Sequence, residues 1–110
     1  MKKIMYLFCF LFVVNPVHAA GWSGDATVTG IYTLHENSAI VKLSTFSYPH
    51  NCLTNNDGDV FINPTTQKTW FTVLLSAYMA NKTVSIYVTD NCIPIWAETS
   101  YAEVGHVRLR

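Results

Sequence analysis

The residues of this chain able to do chemistry are few and scattered. His50 and Cys52 stand two apart, which suggests a thiol with a base beside it or the start of a metal site with Cys92. The second idea fails on spacing, because no C-x-x-C or H-x-x-x-H pattern accompanies them. The first fails if Cys52 is oxidised, since a disulfide sulfur is no nucleophile. Asn55-Asn56-Asp57-Gly58-Asp59 invites a calcium-loop reading. Such a loop needs an oxygen ligand five residues before its glycine and a glutamate six after it. Leu53 and Pro64 hold those places, so the stretch reads as a tight turn at Asp57-Gly58. The carboxylates Asp57 and Asp59 are close in sequence but carry no sign of the cleft a glycosidase needs. No G-x-S-x-G elbow is present, and His35 and His106 read as surface or strand histidines. No catalytic residue, metal ligand or cofactor is expected, and the chain reads as a non-enzyme.

Aromatic residues are the remaining signal. Trp70 falls on a helical face, but Trp22 and Trp96 sit in polar, turn-rich stretches. Loop tryptophans serve either as lids over the ends of a small core or as anchors for sugars and protein partners.

These residues have to be positioned by a small exported domain. Lys2 and Lys3, the apolar run Ile4 to Val14, the helix breakers Asn15-Pro16 and the small residues of Val17-His18-Ala19 form a secretory leader. The apolar run is eleven residues long, too short to span ~30 Å of hydrocarbon. Cleavage after Ala19, with Ala20 as the alternative, leaves residues 20–110 as one domain with no stable membrane insertion. It also removes Cys9, so that Cys52 and Cys92 have only each other to pair with in an oxidising compartment, periplasmic or extracellular. Their loop of about 41 residues is worth ~4 kcal/mol in the chain-entropy model. Loss of Lys2 and Lys3 from seven basic residues leaves five against seven acidic ones. A slightly acidic chain with scattered charges offers no footprint for nucleic acid.

Hydrophobic periodicity then places the elements. DATVTGIYTL (Asp25 to Leu34) is a strand with a bulge or bend at Gly30. A polar turn follows at His35 to Ser38. The strand AIVKLSTF (Ala39 to Phe46) then puts Ala39, Val41 and Leu43 on one face. Asp59 to Ile62 is a short strand. Thr66 to Ala80 is helical, with Asn63 or a threonine as cap and Trp70, Phe71, Leu74, Leu75 and Tyr78 on a face well buried against a sheet. Asn81 ends it in a left-handed conformation. TVSIYVT (Thr83 to Thr89) is a strand facing inward through Val84, Ile86 and Val88, and Asp90 to Thr99 is a loop. Tyr101 to Leu109 alternates as the last strand, with Ala102, Val104, His106 and Arg108 on one face. Five strands with one inserted helix predict a β-rich α+β fold, a small, partly open OB-like barrel.

Trp22-Ser23-Gly24-Asp25-Ala26, followed later by a central helix and the strand Lys82 to Val88, resembles the B subunits of subtilase-cytotoxin and pertussis-like bacterial toxins. The likeness covers that opening and Trp70 to Val88 in order; this chain is shorter. The resemblance implies an OB-fold subunit, a homopentameric ring and recognition of cell-surface glycans, often sialylated, with Asp25 the one site residue placed by the motif. Trp22, Asp25 and Trp96 are therefore the candidate ligand contacts, for a glycan or a protein partner. A periplasmic inhibitor or immunity-type protein that binds a bacterial enzyme or effector is the alternative. The leader makes one direct prediction: Edman sequencing of the exported protein begins at Ala20, whereas a chain still beginning at Met1 contradicts a cleavable signal.

Overall fold

The computed structural model describes residues 20–46, 52 and 58–110. The stretch expected to be a leader, His50 and most of the Asn/Asp-rich turn lie outside them. Among the described residues, six strands and one helix follow in chain order: β1 Gly21–Trp22, β2 Ala26–His35, β3 Ser38–Leu43, β4 Asp59–Ile62, α1 Lys68–Ala80, β5 Thr83–Pro94 and β6 Ser100–Leu109.

The sheet curls into a ring. β2 pairs with β3, β3 with β4, β4 with β6, β6 with β5 and β5 back to β2, while β1 adds to β5 beside β2. All pairings are antiparallel except β4 with β6, which rests on Val60↔Ala102 and Phe61↔Glu103. Closure is uneven. β2 reaches β5 only through Ala26↔Val84 and Thr27↔Thr83, and β1 covers the next stretch of β5 at Tyr87 and Val88. This is the small, partly open OB-like barrel that the periodicity predicts.

Alternation sets the core. Ala39, Val41 and Leu43 of β3 meet Val60 and Ile62 of β4, Val84, Ile86 and Val88 of β5, and Ala102 and Val104 of β6 inside the ring. Two irregularities then change which side chains point inward. Between Val28 and Gly30 the β2–β3 register slips by one residue, so Ala26 and Val28 face the core before the bulge and Ile31 packs on it afterwards. Between Val104 and His106 the β5–β6 register slips again, at Gly105. Val107 therefore returns to the core, and His106 and Arg108 lie exposed outside. The uniform alternation read for this last strand is corrected accordingly: a bulge turns the side chains beyond it to the opposite face.

A second correction concerns residues 90–94, expected in a loop. β5 continues to Pro94 past extra residues between Val88 and Cys92. Asp90 and Asn91 are poor strand formers. The carboxylate of Glu103 on β6 holds the distortion together, accepting hydrogen bonds from Thr89 Oγ1 at 3.2 Å and Asn91 Nδ2 at 3.1 Å.

α1 lies over one end of the ring. Asn63 Oδ1 accepts from the N–H groups of Thr65 and Thr66, so it caps the turn that precedes the helix. Gln67 stands at the helix start, and its Nε2 donates to the carbonyl of Val104 at 2.8 Å. Asn81, at φ 57°, ends the helix as expected. The broad burial expected of α1 is not found. Leu74 and Ala77 alone are fully buried within it, while Leu75, Tyr78 and Met79 face outward, Met79 with 78% of its surface exposed. The mouth of a small barrel admits one narrow stripe of a helix, and the remaining apolar face is left uncovered.

Outside the ring, Ile40, Phe61 and Tyr101 form a second small core with Leu34, Ile93 and Ile95. Asp59 is buried at the start of β4, with Lys42 Nζ 3.2 and 3.1 Å from its two carboxylate oxygens. Cys52 and Cys92 are joined in a disulfide across a sequence separation of 40, which ties the long β3–β4 connection to β5. Cys52→Ser should lower the unfolding free energy by about 4 kcal/mol. An unchanged urea midpoint would contradict that role.

Candidate functional site

The opening WSGD segment is built around a buried serine. Ser23 has none of its surface exposed. Its N–H donates to the Ile86 carbonyl at 2.7 Å, and its Oγ accepts from the Ile86 N–H at 3.0 Å. The same hydroxyl donates to the Gly24 carbonyl at 2.8 Å. Gly24, at φ 83°, supplies the left-handed turn that leads from β1 into β2. Trp22 is thereby fixed opposite Tyr87, and Asp25 is left exposed at the corner.

The Gly105 bulge completes the surface. It sets His106 opposite Tyr87 on the other flank of β5, so Trp22, Tyr87 and His106 form a row across three strands. The ring centroids of Trp22 and Tyr87 are 5.4 Å apart, those of Tyr87 and His106 5.4 Å, and His106 lies near parallel to Trp22 at 6.4 Å. Trp70 meets His106 edge-on from the start of α1 at 5.8 Å. Any side chain at position 105 would crowd this row, because a Cβ there would lie 3.0 Å from Thr89 Cγ2 and 3.1 Å from Tyr87 Cδ2.

Two residues beyond His106, Arg108 places its Cζ 4.5 Å from the centroid of the Trp22 ring, within cation–π range. Arg108 also lines an open cleft of about 510 Å³ together with Asp25, Thr83, Leu109 and Arg110. In that cleft Arg110 Nε lies 3.0 Å from Asp25 Oδ1, and the Arg110 N–H donates to the Thr83 carbonyl at 2.8 Å. The ion pair is exposed and worth about 0–1 kcal/mol, so it orients these groups more than it holds the fold.

Trp22 and Asp25, both candidates from the sequence, thus belong to one surface, with Arg108 joining them. Trp96 does not. It follows the far end of β5, stacks on Tyr32 at 5.9 Å and meets the edge of Tyr101 at 6.2 Å. The sequence gives Tyr87, Arg108 and Arg110 no binding role and reads His106 only as a surface or strand histidine. The available clue was Gly105, because a glycine inside an alternating strand marks a bulge and hence a change of face.

Chemically, the Trp22 surface offers aromatic faces, two guanidinium groups and one carboxylate. The Ser23 hydroxyl is committed to backbone partners, and Cys52 and Cys92 are consumed in the disulfide. Among the described residues no three His, Cys, Asp or Glu side chains converge as metal ligands.

Comparison of the chain with protein-family models, with curated proteins and with solved structures finds no match.

Proposed function

We propose that this chain is an exported, non-enzymatic binding module whose Trp22 surface recognises a cell-surface glycan, as the binding subunit of a multi-copy toxin-type assembly. One observation carries the reading: Arg108 stacked on Trp22, with Tyr87, His106 and the Asp25–Arg110 cleft around it. A pyranose ring presents an apolar C–H face and a rim of hydroxyls. An aromatic face bordered by fixed donors and an acceptor complements both. Trp22, Tyr87, His106 and Arg108 stand on paired strands and are preorganised, which lowers the cost of ordering them on binding.

Assembly is supported by α1. From Thr69 to Ala80 the helix carries no charged residue, and Leu75, Tyr78 and Met79 are exposed on it. Among the described residues, β2 beyond Thr27 pairs only with β3, so none of them pairs with the other edge of that stretch, where a neighbouring copy could add. The same helix face also suits the second reading, a periplasmic inhibitor that covers one bacterial enzyme or effector.

Light scattering and a glycan array separate the two. The glycan reading predicts a ring of several copies that binds a defined set of glycans, with Trp22→Ala and Arg108→Ala each weakening binding tenfold or more. A monomer with a blank array, captured instead by a single partner protein, would overturn it.

A further inference from the structure

We infer that the end of the barrel around Trp96 is a second, independent ligand site, and that it takes an uncharged sugar ring. Trp96 lies beyond the end of β5, and the seven residue steps from Tyr87 to Pro94 place it roughly 20 Å along the strand from the Trp22 row. Its backbone is locked in a tight turn: the Trp96 N–H donates to Thr99 Oγ1 at 3.1 Å, and the Thr99 N–H donates to the Trp96 carbonyl at 3.1 Å. Glu98, at φ 66°, completes that turn. Tyr32 stacks on the indole and Tyr101 abuts it edge-on, so the ring is held on two sides, yet 44% of Trp96 remains exposed. A small hydrophobic lid would be expected to bury its ring; this one is propped up.

Beside the indole lies a cavity of about 280 Å³ lined by Leu34, His35, Ser38, Pro94, Ile95 and Trp96. Among the described residues neither the His35 nor the Ser38 side chain makes a hydrogen bond within the protein. The lining carries no Asp, Glu, Lys or Arg. These features narrow the occupant. A charged ligand would lose solvation with no counter-charge to meet it. A purely apolar side chain of a partner would cover His35 and Ser38 without satisfying them. A neutral pyranose stacks on the indole and supplies hydroxyls to both. The contrast with the Trp22 surface, where Arg108 and Arg110 converge, gives the two ends different ligand preferences.

The ligand class rests on the glycan reading above, whereas the location does not, so the test keeps the two apart. The ¹⁵N-labelled mature protein is titrated with the methyl glycosides of glucose, galactose and mannose. At least one should give saturable shifts at the Trp96 indole and the amides of His35 and Ser38. Trp96→Ala should abolish these shifts, and Ser38→Ala, which keeps the fold, should weaken binding by about 2- to 10-fold. Trp22→Ala and Arg108→Ala should leave them unchanged. Shifts confined to the Trp22 surface would overturn the second site and leave the glycan reading standing. No shift with any glycoside, or binding only of an apolar dye that Trp96→Ala removes, would overturn the neutral-sugar assignment, and a blank glycan array would overturn the wider reading as well.

Discussion

Everything in this domain is organised by β5. It is the strand on which the ring closes, because it pairs with β6 on one flank and with β2 and β1 on the other. Val84, Ile86 and Val88 fill the interior from it, and Cys92 anchors the β3–β4 connection to it. Tyr87 points outward as the middle of the Trp22 row, and the Trp96 turn follows its far end. A small domain buries only part of the surface its unfolded chain exposes. Concentrating the pairing, the core and the covalent tie on one strand gives it a rigid axis with modest means.

The irregularities of the sheet are what make the outer surface usable. A perfectly alternating β6 would have turned His106 and Arg108 inward with Val104, into an interior that offers a guanidinium no partner. The slip at Gly105 sends both outward, to Trp22 and Tyr87. The earlier slip in β2 acts alike at the other end, leaving Tyr32 opposite Ile40 on the outside, where it meets Trp96. Each bulge therefore supplies one component of an aromatic surface.

How far these features were legible depended on how local their causes are. The hairpin turning at His35 to Ser38, the inward residues of β3 and β5 and the left-handed stop at Asn81 follow from short-range pattern, and all are found, with His35 and Ser38 themselves paired. The disulfide followed from counting cysteines, and it is present. What escaped depends on distant partners. β5 runs on through Asp90 and Asn91 because Glu103, twelve residues beyond Asn91, stabilises the distortion. The helix looked broadly buried because its apolar residues are numerous, but the width of the barrel mouth decides how many of them find cover. Trp22 and Asp25 stand out in the sequence one by one; only the register of β6 brings Arg108 and Arg110 to them.

If the Trp22 surface is preformed, β5 opens only when the whole domain unfolds. Native-state hydrogen exchange of the Ile86 amide, which donates to buried Ser23 Oγ at the junction of β1, β5 and β2, measures this directly. The opening free energy for Ile86 should equal that of global unfolding by urea. Exchange through a local opening several kcal/mol cheaper would show that β1 detaches independently, and that the surface is assembled only transiently.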